Sequence, residues 1–200
     1  MDGDHRPLTA PQRLDILALP SPDWLYHHLT IRGSPDEISR FRLAAAGAGV
    51  VPWVRDYDAM IERLVTLMLR PPRTERRLTI AEMRLLAGKM RDLFWQDDQA
   101  ALTHYDRSRS CPFDLQRLVP VPWAILRQGD DAPDSLRWLW EHWGTTWQLR
   151  RVRDITATFR ADPVTTRIFE FWSADWSPWR AITTIANAWP ALTIALRPLY

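Results

Sequence analysis

Residues 165–196, TTRIFEFWSADWSPWRAITTIANAWPALTIAL, change their hydrophobic period twice, and few architectures accommodate that. From Ile168 to Trp172 the residues alternate, which predicts a strand. Ala174 and Asp175 interrupt it, and Ser177 followed by Pro178 predicts an N-cap and a first helical residue. Ile182, Ile185, Ala186 and Trp189 then recur at helical spacing until Pro190, after which Leu192, Ile194 and Leu196 return to a period of two. Strand, helix and strand in that order are half of a split βαβ unit.

Upstream, residues 24–32 alternate with Leu25, His27, Leu29 and Ile31 on one face and Trp24, Tyr26, His28 and Thr30 on the other. Gly33 breaks the pattern, and Ser34 to Glu37 form a capping box that opens a helix with Ile38, Phe41 and Ala45 inward. Residues 56–109 read as helical. Ile61, Leu64, Val65 and Met68 share one face before Pro71 and Pro72; Thr79 and Glu82 cap a second helix with Met83, Leu86, Met90, Leu93 and Phe94 inward. The charged run 73–77 between them is expected to be a solvated loop rather than a phosphate contact, and Met60, Met68, Met83 and Met90 are expected to pack in a core. Phe113, Leu115 and Val119 predict another strand. Leu136, Leu139, Trp140 and Trp143 predict a helix capped by Gly144, and an extended stretch runs from 145 to about 160. Residues 113–197 thus read as β, α, β, β, α, β. The expected fold is α+β: a ferredoxin-like split βαβ antiparallel sheet with an added N-terminal strand-helix and a helical insertion. The corresponding divisions are a loosely ordered extension over 1–20, an N-terminal strand-helix plus helical region over 21–110, and the ferredoxin-like domain over 111–200.

Several function classes are weakened by composition. The 26 basic and 24 acidic residues are spread evenly, so no region forms the basic footprint that nucleic acid selects. Cys111 is the sole cysteine, which excludes an internal disulfide and a cysteine-rich metal site. No stretch has the form of a signal peptide or approaches the roughly 18 apolar residues of a membrane span, so a cytoplasmic protein without membrane contact is expected. There is no Walker loop, no G-x-G-x-x-G and no G-x-S-x-G, and no cofactor is expected. His27 and His28 are adjacent on a strand and point apart; Glu141 and His142 are helix neighbours without metal spacing; His5 and His104 have no evident partner. Cys111 is expected to be a packing residue. Catalytic and metal residues are therefore expected to be none, and enzyme activity is the weaker class.

Tryptophan is the compositional anomaly: of 12 in the chain, eight lie from Trp138 onward. Trp140, Trp143 and Trp189 fall on inward helix stripes, which leaves Trp138, Trp147, Trp172, Trp176 and Trp179 as partner-binding candidates. The run RIFEFW invites comparison with base-stacking strands of RNA-recognition domains, but Phe169 and Phe171 should face the helices and Glu170 the open side. Arg150, Arg151 and Arg153 are phosphate-contact candidates, set against an ordinary solvated strand edge.

PDWLYHHLTIRG near the start, CPFDLQRLVPVPW, HWGTTW and FEFWSADWSPW together resemble the YubB-like proteins, Api-type phage protein relatives with a C-terminal ferredoxin-like domain encoded by plasmids and phages. The resemblance runs from Pro22 onward, and its most specific part pairs residues 143–147 with residues 169–178. It departs at Asp23 and Leu25, where the family often has Asn and Cys. The resemblance implies a fold and a mobile-element setting and brings no catalytic residues. The expected function is that of a non-enzymatic protein-binding module acting through the Trp-rich C-terminal domain on a host or defence component; the alternative is a nucleic-acid-binding or nucleic-acid-processing protein.

Overall fold

In a computed structural model of the chain, residues 22–70, 78–103 and 105–199 are described. The extension expected over 1–20, the charged run 73–77, His5 and His104 lie outside the described residues. Strands β1 (Trp24–Arg32), β2 (Arg150–Asp154), β3 (Thr166–Ala174) and β4 (Thr193–Leu199) form a sheet in the order β2-β3-β1-β4, with every neighbouring pair antiparallel. The helices are α1 (Pro35–Ala45), α2 (Tyr57–Leu69), α3 (Ile80–Thr103), α4 (Leu115–Leu118), α5 (Trp123–Leu126), α6 (Pro133–His142) and α7 (Trp179–Ala188).

The α+β class and the antiparallel sheet are as expected, and the strand order is that of a split βαβ unit. Its first strand is β1, however, and not the stretch around Phe113. Asp114 decides this locally. Its Oδ1 accepts from the Gln116 N–H at 2.9 Å and its Oδ2 from the Gly49 N–H at 3.0 Å, so the chain is capped into the short helix α4 instead of running extended. Leu115 and Gln116 are both buried, which a half-buried strand would not allow. The sheet is therefore built from β1-α1 and, after an insertion over 46–149, from β2, β3-α7 and β4.

Two of the expected N-terminal caps are present and one is not. Ser34 accepts from the Glu37 N–H at the start of α1, and Thr79 and Glu82 bond reciprocally before α3. Ser177 does not cap α7: the helix begins at Trp179, and the Ser177 hydroxyl is turned toward His27 instead.

One face of the sheet meets α1 and α7. His27, Leu29 and Ile31 of β1 and Phe169 and Phe171 of β3 all point into this core, and both phenylalanines are buried as their alternation predicts. Phe113 fills the centre, its ring 5.5 Å from Phe169, 6.0 Å from Phe171 and 6.4 Å from Phe41. Trp143, at the end of α6, is 1% exposed and its Nε1–H donates to the Val119 carbonyl at 2.8 Å. Gly144 takes φ +81° there and donates to the Leu139 and Trp140 carbonyls, the C-cap expected of it.

Helices α2 and α3 pack on each other around Val65, Met83 and Ala87, outside the main core. Leu86, Leu93 and Phe94, expected inward, are 42%, 60% and 42% exposed. A 24-residue helix covered by one 13-residue partner buries a single row of side chains, so the rest of the apolar stripe stays at the surface. Of the four methionines expected in a core, Met83 is buried and Met60, Met68 and Met90 are half-buried. Arg55 ties the hairpin to the body, bonding both Asp98 oxygens at 2.5 and 2.6 Å and Asp130 at 3.0 Å.

Candidate binding surfaces

Among the described residues no helix lies on the second face of the sheet, which gathers rings from two adjacent strands. Trp24, Tyr26 and His28 alternate outward on β1, and the register pairs Tyr26 with Trp172 and His28 with Glu170 of β3. Tyr26 lies 5.1 Å from the Trp172 ring at a tilt of 37° and 5.2 Å from His28. Trp147 meets Trp24 edge-on at 6.2 Å, and the Arg150 guanidinium sits 4.2 Å over Trp24 and 5.3 Å over Trp147. Phe159, from the segment after β2, stands edge-on to His28 at 5.3 Å.

Arg150 and Arg153 both lie on this face, opposite Trp172 and Glu170 respectively. Residues three apart on a regular strand point to opposite sides; a register shift between them, with Arg151 at φ 50°, brings both to one side. A non-glycine residue in that conformation is strained, so the bulge is held by its surroundings.

Glu170 is on the open side, as its alternation predicts, yet only 6% exposed. The Tyr26 hydroxyl donates to its Oε2 and Arg153 pairs with its Oε1. Since that hydroxyl hydrogen is used on Glu170, the His28 Nε2 at 3.0 Å must donate to the Tyr26 oxygen, which sets the His28 tautomer. Burial, then the bond to Glu170 and its charge, hold the Tyr26 hydroxyl above its ordinary value and keep it protonated. The acid is thus paired within the face, with Tyr26 on one oxygen and Arg153 on the other.

A second aromatic group forms where β3 turns into α7. Trp176 and Trp179 are 45% and 50% exposed, Trp176 lies 5.4 Å from the Trp140 ring, and the Arg180 guanidinium sits 5.6 Å over Trp140. Gly144 permits this closeness of α6 and α7: a Cβ there would stand 3.3 Å from the Arg180 nitrogen.

The Ser177 and His27 side chains have the arrangement of a nucleophile and its base. The Ser177 Oγ lies 2.8 Å from Nε2, and Nδ1 donates to the Leu25 carbonyl at 2.9 Å. His27 has no exposed surface, so no leaving group can reach the imidazole to take back a proton, and its ring stacks on Phe171 at 5.3 Å. The pair fastens β1 to the start of α7. Cys111 is also buried, which raises its thiol to about 11, far from a nucleophilic thiolate. His27 and His28 point to opposite sides of the sheet, as expected.

Of the sequence candidates, Trp147, Trp172, Arg150 and Arg153 meet on the open face, and Arg151 is the bulge residue beside them. Trp176 and Trp179 belong to the turn before α7. Trp138 is apart from both, half-buried and stacked on His142 at 4.3 Å. Sequence reasoning missed Trp24, Tyr26, His28 and Phe159. The signal for the first three was their own alternation, which carries meaning only once β1 is known to lie beside β3.

Among the described residues, fold and surfaces together define an α+β protein with a four-stranded antiparallel sheet, seven helices and two aromatic groups at the surface. No helix among the described residues is long and apolar enough to cross a membrane. No family model and no curated protein matches the sequence. Among solved structures, the chain is similar to the crystal structure of the protein api92 from Yersinia pseudotuberculosis, of the family DUF1281, at 10% identity over 89% of this chain and 90% of that one, with a TM-score of 0.47. A likeness that distant carries no inference about this chain.

Proposed function

We propose that the chain is a cytoplasmic, non-enzymatic binding module that recognises a protein partner through the turn between β3 and α7. The observation that supports this most is the Trp176, Trp179, Trp140 and Arg180 group: two half-exposed indoles beside an arginine stacked on a third. Tryptophan and arginine are enriched among the side chains that dominate protein–protein interfaces: the indole covers a large area with only two rotatable bonds, and the guanidinium joins a flat stacking surface to five hydrogen-bond donors. The partner class that accords with the resemblance to plasmid and phage proteins is a host or defence component.

The test is an affinity pull-down from lysate, with and without nuclease, using the chain and a Trp176→Ala/Trp179→Ala double variant. A specific protein that survives nuclease and is lost from the double variant, at unchanged melting temperature, is the expected result. Capture that vanishes with nuclease, or that the double variant retains, overturns the proposal.

A further inference from the structure

We infer that the open face of the sheet binds single-stranded nucleic acid, which goes beyond the protein-partner reading and uses different residues. Three observations combine. Stackable rings lie side by side on the two central strands, Tyr26 and Trp172 at 5.1 Å, with Trp147 43% exposed and Phe159 52% exposed at the margins. The bulge at Arg151 places both Arg150 and Arg153 among those rings, and Arg197 of β4 stands opposite His28 on the same face. The acid of this face is already taken up, Glu170 accepting a hydrogen bond from Tyr26 and forming an ion pair with Arg153, which leaves Arg150 and Arg197 as its unpaired cations among the described residues.

What remains on offer is flat aromatic surface with surplus positive charge. An acidic peptide satisfies the arginines but leaves the rings without a flat partner. A duplex presents phosphates while its bases stay stacked on one another. A single strand supplies both, because its bases can turn outward onto aromatic rings while its backbone follows the cations. The even charge of the whole chain does not oppose this, since the charge that acts is the local one.

The experiment uses the purified full chain and three probes: fluorescein-labelled oligothymidylate, a duplex of equal length, and inorganic polyphosphate as a polyanion without rings. Oligothymidylate should quench tryptophan emission and raise anisotropy, bind more tightly than the other two, and weaken as salt rises. Trp172→Ala should lower the affinity about tenfold or more, the effect of one lost base stack. Arg197→Glu, at an exposed position, should weaken binding without moving the melting temperature, and so decides the matter if Trp172→Ala is unstable. Trp176→Ala/Trp179→Ala should leave oligothymidylate binding unchanged, so this inference and the protein-partner reading fail separately. No binding at low salt, polyphosphate binding as tightly as oligothymidylate, or full affinity in both face variants would each overturn it. So would a protein captured by this face and lost with Arg197→Glu in the absence of oligonucleotide binding.

Discussion

Acidification should loosen this fold through His27, and the slope can be stated in advance. The imidazole is fully buried, donates from Nδ1 to the Leu25 carbonyl and accepts at Nε2 from Ser177. A second proton on the ring would turn that acceptor into a donor facing a hydroxyl that must then rotate, in a place where the charge is poorly solvated. Burial accordingly pushes the folded-state pKa below the ordinary histidine value, the backbone bond to Leu25 offsetting only part. In the window below about 6.5 the unfolded chain binds a proton that the folded chain does not, so stability is fully present above that value and is lost as pH falls toward the folded pKa. One proton limits the slope to about 1.4 kcal/mol per pH unit. For a chain of this size that is roughly 3–6 °C of melting temperature per pH unit. The assay is thermal unfolding from about pH 7.5 to about pH 5 for the chain and for His27→Gln, whose amide has no such titration. Asp114, raised by burial, favours the folded state on acidification, but it is common to both proteins and leaves their difference intact. Parallel melting curves for the two proteins across that window would refute the reasoning.

Arg151 at φ 50° should be a site where glycine is tolerated or stabilising by up to about 1 kcal/mol and where valine is destabilising by more, both read as melting temperatures. Arg55→Ala removes the cation shared by Asp98 and Asp130, and limited proteolysis should then cut within α2 and α3 faster, with the sheet protected as before. Tyr57, which donates to Asp98 at 2.6 Å, is pushed up to about 12 by burial and that bond. An alkaline absorbance titration should therefore show one tyrosine ionising near 12 that is absent from Tyr57→Phe. Since the folded pKa exceeds the unfolded one, the stability linked to this hydroxyl is present below about pH 10 and is lost as pH rises toward 12.

Local chemistry was well marked in the sequence, and pairing was not. The alternation around Phe169 and Phe171 placed both rings in the core, the box from Ser34 to Glu37 opened α1, and Gly144 closed α6. Such features depend on near neighbours, which a sequence displays directly. Residues 113–119 misled because the carboxylate of Asp114 competes with strand formation by capping, using a partner at Gly49 that no local pattern shows. Ser177 misled for the same reason, its hydroxyl serving a histidine 150 residues away. The open face was half legible. Trp147, Trp172, Arg150 and Arg153 were singled out, but the rings of β1 that complete the face required knowing which strand lies next to which. The bulge that turns Arg150 and Arg153 to the same side leaves no mark in the residue types.

The placement of β1 also governs the order in which the molecule can come into being. It is one of the two inner strands of the sheet, yet its partners are encoded far downstream: Asp23, just before it, bonds Asp175 across 152 residues and Tyr26 bonds Glu170 across 144. At ordinary ribosomal speeds β1 is made on the order of ten seconds before either neighbour exists. During that interval α1 and the α2–α3 pair can form from local contacts, while β1 carries two bare edges and a row of aromatic side chains. Chains halted before β3 should consequently be the aggregation-prone species in the life of this protein, and a chaperone that shields residues 24–32 during synthesis should raise the yield of folded product more than one that acts after release.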